Sequence, residues 1–384
     1  MSTLEFERGR ARKERDNAGM YKYWNKPGGD ISPHFKEIET EFNAWVNRTF
    51  SGRSLIETHE AEVPLLAALS YPLQTYQALR VTTYYLMATL IFEMATDHSS
   101  STEAMNLSQS FMDTLRNGGS GKTLFHPLVD IVRREIMPIV KPAVNAFHWP
   151  QFITANQRFA ENIVREARVR EAHLKEDAAS NVHSYMNMRR ETVGIRPFYV
   201  LIRSVRHLYI PDHVLVHPLI QEMENLSSNM IIITNDVYSF KKEYASNGAL
   251  TNILMVIQND PTIDHLDLQE RIFYAAKLFK ATLDRLHTCR GALPSFSDAD
   301  LDRQVSSYAD CLMDCIVGNI EWSIVSRRYN LFANETDRKN NIVRLDSRNR
   351  DFVSRPLMIS IFFIMLSILF VYIPAQPLSH IFYV

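Results

Sequence analysis

The chain has 384 residues, of which 46% are hydrophobic and 22% are charged, so it can bury one large apolar core. Its formal net charge is −1, and this balance argues against a nucleic-acid-binding protein, which would need a basic field. Three cysteines, Cys289, Cys311 and Cys315, are too few for a disulfide framework and fit a reducing compartment.

The predicted elements are helices. Residues 1–29 start with MSTLEFERGRARKERDN, which lacks the apolar stretch of a secretory signal, and are predicted to form a solvated arm. Beyond them, apolar residues recur at three- and four-residue steps, the spacing of helices that bury one face. The segments with this spacing are Phe35–Phe50, Glu60–Ala95, Ala104–Leu115, Pro127–Ala146, Gln157–Glu176, Leu215–Tyr244, Leu268–Leu286 and Asp300–Tyr329. We therefore predict one all-α domain over residues 30–335.

Residues 336–355 are predicted to be a polar linker, and a hydrophobic segment follows at 356–374. Its centre, LMISIFFIMLSILFVYI, has 17 residues without a charge, which as a helix would reach about 26 Å, just short of a typical hydrocarbon core. Three interpretations stay open: a membrane anchor with nearby arginines on the cytosolic side, an artefact of the gene model, or a helix packed on the domain. The chain is accordingly predicted to be cytoplasmic, or tail-anchored to an internal membrane.

A polar cluster, NDVYSFKKE at 235–243, follows the very apolar sequence NMIIIT. Asn235, Ser239 and Glu243 are spaced i, i+4 and i+8 and therefore share one helix face. They offer an amide carbonyl, a hydroxyl and a carboxylate, the oxygen ligands that Mg²⁺ takes together with water and phosphate. Lys242 lies within one turn of Ser239 and Glu243, where its charge could meet phosphate oxygens. The alternative interpretation is a polar helix face that begins at a surface turn.

The cluster resembles the metal-binding triad of class I terpene synthases, especially the fungal, basidiomycete-type sesquiterpene cyclases. Segments similar to others of that family occur in the same order along the chain: ISPHF at 31–35, LAALSYP at 66–72, MDTLRN at 112–117 and WSIVSRRY at 322–329. The resemblance covers about residues 30–330. It implies an all-α bundle around a central apolar cavity, in an enzyme that ionises a prenyl diphosphate.

The resemblance also implies roles for residues outside the triad. Arg189, in RRETVG at 189–194, lies 46 positions before Asn235, the register of the family's diphosphate-sensing arginine. A guanidinium suits that role because it pairs with phosphate oxygens in a fixed fork and stays charged. Thr192 lies at the helix break where the family relays this contact to ionisation.

The WSIVSRRY segment carries three more implied roles. By analogy with the family, Arg328 and Tyr329 hydrogen-bond the diphosphate, and Trp322 lines the cavity, where its ring can stabilise a cation. The predicted catalytic residues are therefore Arg189, Lys242, Arg328 and Tyr329, and Thr192 and Trp322 are added as substrate-binding residues.

The second metal motif of the family, an aspartate-rich DDxxD or DExxD at the end of an early helix, is altered in this chain. In FEMATD at 92–97, Glu93 stands where the first aspartate belongs, Met94 stands where an acid is usual, and Asp97 is retained. The longer Glu93 side chain moves the leading carboxylate by about 1 Å, whereas catalytic constellations tolerate about 0.5 Å. We predict that Glu93 and Asp97 bind metal; the alternative is a crippled enzyme or a non-catalytic prenyl-diphosphate binder.

The resemblance thus implies a cyclase with three Mg²⁺ ions, held by Glu93, Asp97, Asn235, Ser239 and Glu243. Farnesyl diphosphate is the predicted substrate, with geranyl and geranylgeranyl diphosphate as alternatives. A chain-elongating prenyl synthase is disfavoured because it would need two aspartate-rich motifs. A membrane-tethered helical interaction protein would leave the ordered motifs unexplained. We expect a monomer or a homodimer.

Overall fold

The computed structural model describes residues 31–72, 75–97, 99–117, 126–173, 181–245, 252–339 and 342–345. Helices occur in every segment predicted from apolar spacing. That spacing did not predict the further helices at Gly52–Ala61, Val182–Thr192, Ile195–Val205, Ile253–Asn259 and Glu335–Lys339. No strand occurs among the described residues, so the all-α prediction is confirmed. In chain order the α-helices are α1 (Phe35–Thr49), α2 (Gly52–Ala61), α3 (Val63–Ser70), α4 (Tyr76–Thr96), α5 (Ser101–Asn117), α6 (Pro127–Ile131), α7 (Met137–Val140), α8 (Trp149–His173), α9 (Val182–Thr192), α10 (Ile195–Val205), α11 (Asp212–Leu215), α12 (Pro218–Ala245), α13 (Ile253–Asn259), α14 (Leu268–Gly291), α15 (Ala299–Val325) and α16 (Glu335–Lys339).

Several helix ends are fixed by side chains that satisfy unpaired backbone N–H groups. The Thr75 hydroxyl caps α4 by accepting from the backbone N–H of Ala78. At the start of α14, Asp267 and Glu270 form a reciprocal capping box. Gly194, between α9 and α10, has a φ of 73°, a left-handed conformation that a residue without Cβ adopts at low cost. The helix break expected near Thr192 is therefore present.

Two large groups of buried apolar side chains form the interior, one centred on α12, α14 and α15 and the other on α4, α5 and α8. Helix α4 is buried on nearly all sides, as expected for a helix at the centre of a bundle. Helix α3 packs against α15 so closely that a Cβ on Gly318 would lie 2.3 Å from the backbone nitrogen of Ser70. This helix contact consequently requires glycine at position 318.

Two predicted segments are more broken than their periodicity indicates. The Glu60–Ala95 stretch contains the end of α2, then α3 and α4. Glu62, with a φ of 44°, interrupts the helical path between α2 and α3. The Pro127–Ala146 stretch contains a π-helical turn at Val132–Ile136. Pro138 follows that turn, and a proline cannot donate the backbone hydrogen bond that a regular α-helix would need. Apolar spacing alone does not reveal either interruption.

The two ends of the chain were predicted to be an arm and a tail, and residues 1–29 and 356–374 lie outside the described residues. In the described part of the predicted linker, Val343 is buried against the apolar group centred on α12, α14 and α15, and Arg344 pairs with Asp337, also in the linker, at 2.7 Å. Among the described residues, no helix combines the length and the apolar composition needed to cross a membrane. The domain boundaries and the anchor remain predictions.

Candidate active site

The predicted metal triad lies on the second half of α12, after turns that are deeply buried. Ser239 is itself buried, and its hydroxyl donates to the backbone carbonyl of Asp236 at 3.3 Å. One carboxylate oxygen of Glu243 accepts from Nδ2 of Asn252 at 3.0 Å. Asn252 also caps α13, so the start of α13 is tied to the metal-triad helix. Asn235, the first member, is only partly buried and reaches towards the end of α15.

Asp236, a buried carboxylate within the triad segment, was not assigned a role from sequence. Its side chain accepts hydrogen bonds from the Tyr185 hydroxyl and from the backbone N–H of Ile253, and it faces Arg189 at 3.5 Å. Burial raises the pKa of Asp236 to about 6, and the nearby Arg189 charge opposes that rise. In the sequence, only its position next to Asn235 pointed to Asp236. No spacing rule predicts that Asp236 faces Arg189.

Arg189 lies at the C-terminal end of α9 and points at the triad helix. One guanidinium nitrogen contacts Asp236 at 3.5 Å and another donates to the Thr192 hydroxyl at 3.3 Å. Burial opposes its charge, but the neighbouring Tyr185 and Asp236 outweigh that effect, and the pKa of Arg189 is raised. Its Nε is buried without a hydrogen-bond partner among the described residues. Arg189 and Thr192 are therefore in contact.

The altered acidic motif lies at the C-terminal end of α4. Glu93 is partly buried, whereas Asp97 is exposed. Burial raises the pKa of Glu93 to about 7; the Arg328 charge lowers it and the Asp97 charge raises it. Met94 is partly buried and packs against the apolar group around α4. At this position a side chain that contacts the core therefore replaces the usual acid. A charge from the segment after α15 thus acts on the end of α4.

Glu166, on α8, is a second residue that sequence analysis missed. Its charge contributes to the raised pKa of Glu93 and also to that of Arg189, so the three side chains lie in one neighbourhood. Its Oε2 is buried without a hydrogen-bond partner among the described residues. In sequence, Glu166 resembles any glutamate on an amphipathic helix, and no pattern distinguishes it.

The segment after α15 contributes the predicted diphosphate-binding pair. The hydroxyl of Tyr329 accepts from Nδ2 of Asn235 at 2.8 Å and interacts with Arg328. Burial raises the pKa of Tyr329 to about 12, and the Arg328 charge opposes that rise. The Trp322 ring packs edge-on against Tyr329 with centroids 5.4 Å apart, while its indole N–H donates to the Ala61 carbonyl at 2.9 Å.

Lys242 lies at the rim of this cluster. The residue as a whole is exposed. Partial desolvation of its ammonium group lowers the pKa of Lys242, and the Arg328 charge lowers it further. We regard it as charged at neutral pH because water reaches the side chain. No group of three or more His, Cys, Asp or Glu side chains suited to a metal occurs in the described part of the chain. The predicted ligand set consists of an amide, a hydroxyl and single carboxylates. Neither of its two motifs supplies three such side chains, so this finding does not test the prediction.

Distant parts of the chain thus bring acidic, amide, hydroxyl and guanidinium groups close to one another. Solved structures with a similar fold are class I terpene synthases. An α-eudesmol synthase crystal structure superposes with a TM-score of 0.65 at 21% identity, covering 77% of this chain and 96% of that one. A germacradien-4-ol synthase from Streptomyces citricolor gives a TM-score of 0.63 at 19% identity, covering 76% and 94%. These likenesses define the fold class.

The family model described as terpene synthase family 2, C-terminal metal binding, matches residues 74–285. The chain therefore belongs to the terpene synthase family 2. It is 26% identical over 301 residues to a Δ6-protoilludene synthase of Stereum hirsutum, covering 78% of this chain and 79% of that protein. It is 27% identical over 300 residues to sesquiterpene synthase 1 of Postia placenta, covering 77% and 85%.

Proposed function

We propose that this protein is a Mg²⁺-dependent class I cyclase that ionises farnesyl diphosphate and closes the carbocation into a sesquiterpene. The observation that carries the proposal is the contact between predicted metal-binding and predicted diphosphate-binding residues. Asn235 hydrogen-bonds Tyr329, and the Arg328 charge acts on Glu93, although these residues come from three separate helical regions. A surface helix with accidental polar spacing would not be expected to make such contacts.

The donor set fits a hard cation. Asn235 uses its amide nitrogen on Tyr329, so the carbonyl oxygen is the atom that it can offer to a metal. Glu166 Oε2 and Arg189 Nε, both buried without a partner among the described residues, are the orphaned atoms expected where a ligand completes a site. When bound, Mg²⁺ supplies Lewis acidity and charge neutralisation to the diphosphate. We assign three ions to Glu93, Asp97, Asn235, Ser239 and Glu243.

The chain's own cations and hydroxyl would hold the leaving group. We assign Arg189 and Arg328 to the diphosphate oxygens because a guanidinium pairs with phosphate in a fixed fork. Tyr329, with a pKa of about 12, stays protonated at neutral pH and so remains a donor. Lys242 adds a charge at the rim. These groups stabilise the negative charge that develops as the carbon–oxygen bond breaks.

The hydrocarbon part of the substrate would lie against buried side chains one turn before the acidic motif. Thr89 and Leu90, one turn before Glu93, are both buried. We assign the buried Trp322 ring to the wall, where its π face can stabilise a cation. Such surroundings exclude water, which protects the cation from premature capture. Thr192, bonded to Arg189, is assigned to the relay between diphosphate contact and ionisation.

Farnesyl diphosphate is favoured over shorter and longer prenyl diphosphates because the relatives reported above are named as sesquiterpene synthases. The test is the full-length protein with farnesyl, geranyl or geranylgeranyl diphosphate and Mg²⁺, with volatile products identified by gas chromatography and mass spectrometry. We expect cyclic C15 hydrocarbons or alcohols from farnesyl diphosphate, and none with Asn235→Ala or without Mg²⁺. Absence of products from all three substrates would contradict the proposal.

The alternative function is a prenyl-diphosphate binder with a decayed acidic motif, and Met94 in place of an acid favours it. The Glu93→Asp variant distinguishes the two. Turnover by the wild-type protein supports the cyclase. Binding of farnesyl diphosphate without turnover, together with turnover gained by Glu93→Asp, would support the decayed motif instead.

A further inference from the structure

The junction between α2 and α3, which we call the elbow (Ala61–Glu62), has an unusual backbone. Glu62 has φ 44° and ψ 48°, a left-handed conformation that side chains with a Cβ rarely adopt. Glycine or asparagine is the ordinary choice there. A strained residue of another type is a reason to ask what its side chain does.

The elbow contacts the end of α15 at two points. The Glu62 carboxylate accepts from the backbone N–H of Arg327 at 2.9 Å and from Nε of the same residue at 3.2 Å. The Ala61 carbonyl accepts from the Trp322 indole N–H at 2.9 Å. Since Glu62 and Arg327 are 265 positions apart, an N-terminal element holds the residue directly before Arg328.

A second group holds the same segment from the other side. Lys241, between Ser239 and Glu243 on α12, donates through Nζ to the Asn330 carbonyl at 2.7 Å and to the Leu331 carbonyl at 3.2 Å. Asn330 is itself left-handed, with a φ of 41°. The segment is therefore fixed immediately before and immediately after the pair Arg328–Tyr329.

We infer that Glu62 and Lys241 are positioning residues, which hold residues 327–331 so that Arg328 and Tyr329 meet the diphosphate in the orientation needed for ionisation. This inference rests on the proposed function of that pair. Neither residue is assigned a contact with substrate. The elbow thereby makes the N-terminal helices part of the diphosphate-binding arrangement.

Stability alone does not account for these contacts. In the Glu62–Arg327 pair, 26% and 65% of the two side chains are accessible, so water weakens their attraction, and such ion pairs contribute little to folding free energy. The bond from the Glu62 carboxylate to a backbone N–H instead fixes where the main chain runs. A displacement of about 1 Å at catalytic groups can cost roughly hundredfold in rate, so the geometric effect exceeds the energetic one.

The test uses the full-length protein and two readouts: kcat/KM for farnesyl diphosphate, and the affinity for inorganic diphosphate with Mg²⁺ by calorimetry. For Glu62→Ala and Lys241→Met we expect kcat/KM to fall about tenfold to hundredfold and diphosphate binding to weaken. Glu62→Gln keeps an oxygen that can accept from the Arg327 N–H, so we expect partial recovery. Glu222→Ala is the matched control, because it removes an exposed carboxylate that pairs with Arg285 at 2.7 Å.

A double-mutant cycle separates positioning from general structural support. In an Arg328→Ala/Tyr329→Phe background, adding Glu62→Ala should weaken diphosphate binding by less than about threefold, because both positioned groups are already absent. An equal loss of affinity in both backgrounds, or wild-type affinity in Glu62→Ala, would overturn the inference. If wild type binds diphosphate but does not turn over farnesyl diphosphate, the proposed function fails while the binding cycle still decides the inference. If wild type binds no diphosphate, both fail.

Discussion

The side-chain amide of Asn235 donates a 2.8 Å hydrogen bond to the hydroxyl of Tyr329, 94 positions further along the chain. One residue belongs to the predicted metal triad and the other to the predicted diphosphate-binding pair. The bond orients the Asn235 amide, so that its nitrogen faces Tyr329 and its carbonyl oxygen is left for a cation. The two halves of the proposed site are thereby coupled before any ligand arrives.

Removing only the Tyr329 hydroxyl tests this coupling. We expect Tyr329→Phe to lower kcat/KM by about 100-fold, because a donor to the developing charge and the partner of Asn235 are lost together. Asn235→Asp should retain more activity than Asn235→Ala, because an oxygen ligand remains and Tyr329 can donate to it. Steady-state kinetics with farnesyl diphosphate measure both.

The matched control for these variants is Asn162→Ala, since Asn162 donates within its own helix to the Arg158 carbonyl at 2.9 Å. It should show wild-type kinetics. Wild-type kcat/KM in Tyr329→Phe would contradict the role given to the hydroxyl.

Glu93 should make the stability of the metal-free protein depend on pH. Its folded pKa of about 7 lies above the ordinary value of 4.5. A raised folded pKa contributes stability that is fully present below about pH 4.5 and is lost as the pH rises towards 7. We expect a loss of about 3 kcal/mol over that window relative to Glu93→Gln, measured by urea unfolding in a chelator.

Glu166→Gln should move this loss of folding stability to lower pH. The Glu166 charge is among the causes of the raised pKa of Glu93, so its removal lowers that pKa. Subtracting the Glu93→Gln curve removes the contributions of other groups. A wild-type curve parallel to that of Glu93→Gln between pH 4.5 and 7 would show that Glu93 has an ordinary pKa.

Arg170 should influence metal affinity without touching the metal. Its guanidinium donates to the backbone carbonyls of Thr96 and Ser99, at 3.4 Å and 3.2 Å, and so fixes the chain on both sides of Asp97. We expect Arg170→Ala to raise the Mg²⁺ concentration for half-maximal activity by about tenfold, as for partners that orient metal ligands. Arg168→Ala, an exposed arginine on the same helix, is the control. An unchanged Mg²⁺ requirement in Arg170→Ala would contradict the orienting role.

Gly318 should tolerate no side chain. A Cβ there would lie 2.3 Å from the Ser70 nitrogen and 2.4 Å from its Cα, and these backbone atoms cannot move aside as a flexible side chain can. We expect Gly318→Ala to lower the free energy of unfolding by about 3 kcal/mol. At Gly291, a Cβ would meet nothing within 4 Å, so Gly291→Ala should change stability by less than about 1 kcal/mol. Equal stability of the two variants would contradict the close α3–α15 contact.

Much of the fold was predictable because helix formation leaves a local pattern. The recurrence of apolar residues every three or four positions predicted helices where α1, α5, α12 and α14 are found. The spacing of Asn235, Ser239 and Glu243 placed them on one face, and the separation between Arg189 and Thr192 matched a single turn. Their roles in catalysis remain predictions, as do the arm, the linker and the hydrophobic tail.

The sequence by itself therefore determined the helical class, the family motifs and the candidate ligands, since each depends on neighbours within a few turns. Only the tertiary structure decided that Glu62 meets Arg327, that Arg328 acts on Glu93, and that Glu166 joins them. The physical reason is that apolar faces are chemically alike, so periodicity shows which face is buried but not which helix covers it. Long-range contacts follow from the mutual packing of all helices, which no local pattern contains.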